Sequence, residues 1–97
     1  MILYILQIAG AGRGVGRELA IQLSMLGATV ICWDIQNDIN EETAMLANLL
    51  GYGVGKAYAY TCDITNRDQV KETAFINLIC WSELNCNVFI VCQRNTI

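Results

Sequence analysis

Gly10-Ala11-Gly12-Arg13-Gly14-Val15-Gly16 stands between an apolar run, Met1 to Ala9, and a segment with helical periodicity, Val15 to Leu26. A strand that ends in glycines and feeds a helix makes a phosphate-binding turn. Bare backbone comes close to the anion, and the N–H groups and partial positive charge of the helix N-terminus face it. Four glycines in seven residues also carry more unfolded-state entropy than a plain tight turn requires.

On either side of the turn the chain alternates strands and helices. Ile2 to Ala9, broken by Gln7, reads as a strand covered on both faces. Val15, Leu19, Leu23 and Leu26 fall on one helical stripe, with Arg17, Glu18 and Gln22 off it, and Gly27 is placed to cap the end. Ala28 to Trp33 is a second strand ending at Asp34. A loop from Ile35 to Asn40 carries helix-start signals, Asp38 with Glu41 three residues on resembling a capping box, and a second helix is predicted over Glu41 to Leu50. Its inward residues are predicted to be Met45, Leu46, Leu49 and Leu50. Gly51, Gly53 and Gly55 form a turn, and Lys56 to Cys62 is a third strand ending at Asp63. Thr65 with Asp68 suggests a cap for a third helix, whose stripe is Val70, Ala74, Leu78 and Trp81. Val88 to Cys92 imitates a fourth strand.

This alternation predicts parallel βαβ units. The fold class is α/β, a Rossmann-type parallel sheet with flanking helices, truncated after about three βα units. Strand one is expected centrally, with strands two and three stepping out to one side.

Composition narrows the function. The chain has 97 residues, 55% apolar and 15% charged, which suffices for a core but not for several domains. A net charge of −3, with scattered basic residues, argues against a nucleic-acid partner. Histidine is absent, and the five cysteines show no Cys-x-x-Cys spacing, so no metal site is expected. The cysteines read as reduced intracellular thiols packed as small hydrophobes. Met1 to Ile8 lacks the basic leader of a signal peptide, and no apolar run is long enough to span a membrane.

The glycine spacing selects among nucleotide turns. A P-loop needs Gly-Lys-Ser/Thr, whereas Gly16 is followed by Arg17 and Glu18. Gly10, Gly14 and Gly16 instead form Gly-x-x-x-Gly-x-Gly. Asp34 lies 18 residues beyond Gly16, at the end of strand two, where a carboxylate accepts hydrogen bonds from the adenosine ribose. It would repel a 2′-phosphate and so favours NAD over NADP. Arg13 pulls the other way, because a cation beside the turn can pair with that phosphate.

Together with Trp33-Asp34-Ile35 and Cys62-Asp63-Ile64, the glycine run resembles the short-chain dehydrogenase/reductase family. Asn40-Glu41-Glu42-Thr43-Ala44 and Ala59-Tyr60-Thr61-Cys62-Asp63 resemble its membrane-associated retinol and 17-beta-hydroxysteroid dehydrogenase branch. The resemblance covers Ile5 to Ala74. It implies that Gly10, Gly14, Val15 and Gly16 line the pyrophosphate turn, that Asp34 binds the ribose, and that Asp63 with the backbone of Ile64 holds the adenine edge. Ala9 replaces the family's usual Thr, and Gln7 replaces an aliphatic residue.

On this likeness, residues 1–74 form an NAD(P)-binding Rossmann half-domain, and 75–97 a divergent tail without family resemblance. The family's catalytic Ser and Tyr-x-x-x-Lys are not matched. Tyr52 and Lys56 have the spacing but precede strand three, so no catalytic residue is assigned. The expectation is the dinucleotide-binding half of an oxidoreductase acting on a lipophilic alcohol such as a retinol or steroid, with substrate engaged only in a full-length form. The alternatives are a non-catalytic nucleotide- or partner-binding module that self-associates through an exposed sheet edge, and a fragment that does not fold alone. Full-length relatives of this branch are expected at endoplasmic reticulum or lipid-droplet membranes, through an apolar segment that this chain lacks.

Overall fold

A computed structural model describes residues 4–50, 56–82 and 87–92, with side chains over 5–50 and 56–74. Elements follow in the order β1 (Tyr4–Ala9), α1 (Gly14–Met25), β2 (Thr29–Asp34), α2 (Asn37–Leu50), β3 (Lys56–Thr61), α3 (Arg67–Ser82) and β4 (Asn87–Cys92). The sheet is parallel throughout, in the order β3-β2-β1-β4. Strand one is therefore internal and strands two and three step out to one side, as the alternation predicts. Leu78 and Trp81, as side chains, and Tyr52, Ile2 and Leu3 altogether, lie outside the described residues.

Register sorts the strand side chains between two layers. Val30 pairs with Ala57 and Cys32 with Ala59, and Ile8 is level with Cys32. These residues meet Ala20 and Ile21 of α1 and Ala44 and Ala47 of α2 in one core. On the other face Ile5, Ile31 and Trp33 pack with Cys62, joined by Tyr60 and by Val70 and Ala74 of α3. Right-handed crossovers require this split. The steps β1→β2 and β2→β3 run one way, so α1 and α2 share a face, while α3 leads back past β1 on the other. Gln7 is buried in β1 and does not lack an interaction partner there.

Both helices of the first layer are rotated from their predicted faces. α1 buries Gly16, Ala20, Ile21 and Ser24, with Leu19 and Leu23 only partly covered and Leu26 81% exposed. α2 buries Asn40, Thr43, Ala44 and Ala47, whereas Met45, Leu49 and Leu50 are exposed. Small residues four apart let two helix backbones approach closely. Ser24 Oγ even donates to Ala47 O across the contact, at 3.3 Å. Large aliphatic side chains would hold the helices apart.

The helix ends also refine the expectation. Gly27, at φ 96°, ends α1, with Gly27 N donating to Ser24 O and Ala28 N to Leu23 O, a Schellman motif. α2 begins at Asn37, before the predicted start, so Asp38 lies in its first turn instead of capping it. The cap of α3 is Asn66, whose Oδ1 accepts from Gln69 N at 3.1 Å, and Thr65 is used elsewhere.

β3 is an edge strand, and Asn48 of α2 covers part of its open side. Its Oδ1 accepts from Ala57 N at 2.7 Å, and its Nδ2 donates to Ala57 O at 3.0 Å. The side-chain amide thus stands in for a neighbouring strand. Asn48→Ala is expected to lower folding stability by about 1–2 kcal/mol, the net worth of two such bonds, in urea denaturation. Hydrogen exchange at Ala57 should accelerate in the same variant.

Candidate functional site

The carboxyl ends of β1, β2 and β3 lie side by side. β1 stands where the strand order reverses, with β2 on one side and β4 on the other, which is where open α/β sheets form their ligand crevice. The chain leaves β1 through Gly10 at φ 77°, and Gly10 N and Ala11 N both donate to Trp33 O, at 2.8 and 3.2 Å. Arg13 is extended, exposed and half inside the helix; it provides no side-chain cap to α1. Gly14 opens the helix at φ 60°, and Arg17 N to Arg13 O, 3.3 Å, is the bond that starts it. The N–H groups of Gly14, Val15 and Gly16 precede that bond, so they belong to the set a helix leaves without intrahelical partners.

Asp34 ends β2 and is buried. Its Oδ2 accepts from Gly12 N at 2.8 Å and its Oδ1 from Gln36 N at 3.0 Å. Gly12 has no room for a side chain. An added Cβ would lie 2.6 Å from Ile39 Cγ1 and 2.7 Å from Asp34 Oδ2. Just beyond the end of β3, Asp63 is half-buried and its Oδ1 accepts from Thr65 Oγ1 at 2.7 Å and Thr65 N at 2.9 Å. The Thr65 hydroxyl, then its N–H, hold this carboxyl below the ordinary 3.8. Ile64 beside it is exposed, and Cys62 N donates to Asp34 O at 3.0 Å, tying the two acidic strand ends together.

All eight residues singled out in the sequence therefore lie just beyond β1, at or just beyond the ends of β2 and β3, or in the first turn of α1. Gly12 and Arg17 were not singled out. Arg17 Nε donates to Gly12 O at 2.9 Å and to Thr43 Oγ1 at 3.0 Å, a shared bond. Its NH2 donates to Ile39 O at 3.2 Å and its NH1 pairs with half-exposed Glu42 at 3.1 Å. The ion pair adds little in water. The contacts to Gly12, Thr43 and Ile39 fasten the turn to α2. A cation near a helix start opposes the helix dipole, and that was the readable signal of a specific partner.

Other chemistry is limited. Cys32 and Cys62 are buried free thiols, and burial pushes Cys32 up to about 12, so it stays protonated and unreactive. Among the described residues no cluster of three or more potential metal ligands occurs, and no helix is long and apolar enough to cross a membrane. The surviving arrangement is a helix entry without a side-chain cap, flanked by two oriented carboxylates.

The family model described as short chain dehydrogenase matches residues 5–76. The chain is 43% identical over 70 residues to epidermal retinol dehydrogenase 2 of Mus musculus, an alignment that covers 72% of this chain and 22% of that protein. It is 37% identical over 67 residues to 7alpha-hydroxysteroid dehydrogenase of Escherichia coli (strain K12), covering 69% and 25%. The crystal structure of a hydroxysteroid dehydrogenase from Escherichia coli superposes with a TM-score of 0.81 at 30% identity, over 96% of this chain and 37% of that one. The chain thus spans 22% to 25% of the length of these curated relatives.

Two outcomes follow from the geometry. Gly12→Ala is expected to destabilise the chain by about 1–3 kcal/mol in thermal or urea denaturation, because Ile39 and Asp34 must both give way. Asp63 is harder to protonate in the native state than in the unfolded chain. Its bonds to Thr65 therefore support folding fully above the ordinary 3.8, and that support is lost as pH falls below it through the lowered native value. Thr65→Val should move the Asp63 carboxyl back towards 3.8, read by NMR titration of its carboxyl carbon.

Proposed function

Because this chain belongs to the short-chain dehydrogenase family, we propose that it takes up a nicotinamide dinucleotide across the carboxyl ends of β1, β2 and β3. The observation that carries the reading is the entry to α1. It has no side-chain cap, opens on a left-handed glycine and sits beside a buried carboxylate.

The residues present fit such a group. First-turn N–H groups of Gly14, Val15 and Gly16 donate to the pyrophosphate, and Gly10 lets the backbone approach it. Arg13 adds positive charge at the rim. Each Asp34 oxygen receives one backbone N–H and keeps acceptor capacity for the ribose hydroxyls. Asp63 and the Ile64 backbone bound the adenine. When bound, the dinucleotide supplies hydride transfer; the residues of this chain bind and orient its adenosine half.

Asp34 favours NAD over NADP, since a 2′-phosphate against a buried carboxylate sets like charges together. The substrate class follows from likeness to retinol and hydroxysteroid dehydrogenases: a lipophilic alcohol and its carbonyl product. Within that reaction these 97 residues carry the dinucleotide-binding part. No residue among them is assigned to proton transfer. Buried free thiols at Cys32 and Cys62 fit a reducing, intracellular setting.

Titration of the purified chain with NAD, NADH and NADP, followed by tryptophan fluorescence and thermal melting, tests the reading. Saturable stabilisation by NAD, weaker with NADP, is expected, and a flat response overturns it. Binding without alcohol-dependent NADH formation would identify a nucleotide-binding module. Asp34→Asn keeps an acceptor for Gly12 N but removes the charge, so the preference for NAD should narrow by about an order of magnitude.

A further inference from the structure

We infer that Asn40 is the positioning residue of the adenosine end of the site, an inference that rests on the dinucleotide reading above. Asn40 lies in the first turn of α2 and is completely buried. Its Nδ2 donates to Cys32 O at 2.9 Å and to Tyr60 O at 3.2 Å, so one side-chain amide joins β2 and β3. Cys32 lies two residues before Asp34, and Tyr60 three before Asp63. The bond from Cys62 N to Asp34 O closes the ladder immediately beyond.

Each acid is oriented by backbone N–H groups near it. Asp34 is held by Gln36 just beyond its own strand and by Gly12 of the turn after β1, and Asp63 by Thr65 just beyond it. The separation of the two carboxylates therefore depends on how the two strand ends sit relative to each other. Asn40 governs that spacing from beneath, without contact to the ligand. An exposed bond from Thr61 Oγ1 to Asn37 Oδ1, 2.8 Å, ties the same elements together from the rim.

The amide is retained against a penalty. Asn40 Oδ1 is buried with no hydrogen-bond partner. A leucine, branched in the same way, would carry no unpaired oxygen of its own, so packing alone does not account for asparagine here. What leucine lacks is the pair of N–H groups that reach two carbonyls on two strands.

Calorimetric titration with ADP and with inorganic pyrophosphate separates the adenosine end from the turn. In Asn40→Leu the affinity for ADP is expected to fall about tenfold, with that for pyrophosphate unchanged within about twofold. Equal loss for both probes, or loss for neither, overturns the inference. Should the variant not fold, the wild-type chain decides by NMR. The Asn40 side-chain amide signal should shift with ADP and stay still with pyrophosphate, and an ADP titration that leaves it still overturns the inference. A wild-type chain that binds neither probe removes the dinucleotide reading and this inference with it. ADP binding that Asn40→Leu leaves intact removes the inference alone.

Discussion

Gly12 is held at both ends of its backbone. Its N–H donates to the buried Asp34 carboxylate, and its carbonyl accepts from Arg17. The first bond fixes the turn to the end of β2, and the second fixes it to the helix that follows. Because no Cβ intervenes, the carboxylate comes within 2.8 Å of the amide. Everything else at the site is arranged around that approach. With Gly12 pinned, Arg13, extended, and Gly14, left-handed, carry the chain directly into α1.

The close packing of α1 on α2 serves the same end. Arg17 reaches Thr43 and Ile39 because Gly16, Ala20, Ser24, Ala44 and Ala47 keep the two helices near each other. Large aliphatic residues in that contact would move Ile39 and Thr43 beyond reach of the guanidinium. The exposed Leu26, Met45 and Leu49 are thus a consequence of the site's geometry, since the inner faces are reserved for small residues.

The sheet order, the glycine turn and the acids at the strand ends were legible in the sequence because each has a local signature. Alternating apolar runs mark the strands, and Asp34 and Asp63 follow directly on β2 and β3. The helix faces were not legible. Hydropathy scores Leu26 and Leu49 as core and Ala20, Ser24 and Thr43 as neutral, whereas inter-helix distance decided the outcome. Arg17 and Asn40 were missed for a related reason. Polar residues read as surface unless a partner is visible, and their partners lie far along the chain, Arg17 on Ile39 and Thr43, Asn40 on Tyr60.

Buried polar residues make the same argument from energetics. Asp34, Asn40 and Thr43 are all buried near the strand ends, where apolar replacements would avoid desolvating polar groups. Each instead holds a piece of backbone: Asp34 the Gly12 amide, Asn40 two strand carbonyls, Thr43 the carbonyl of Ile39. A surface built from main-chain N–H groups has no side chains of its own with which to tune its shape. Its geometry is set from behind, and of these three residues Asn40 and Thr43 need never touch what binds. Affinity at such a site is governed as much by this hidden layer as by the glycines in front of it.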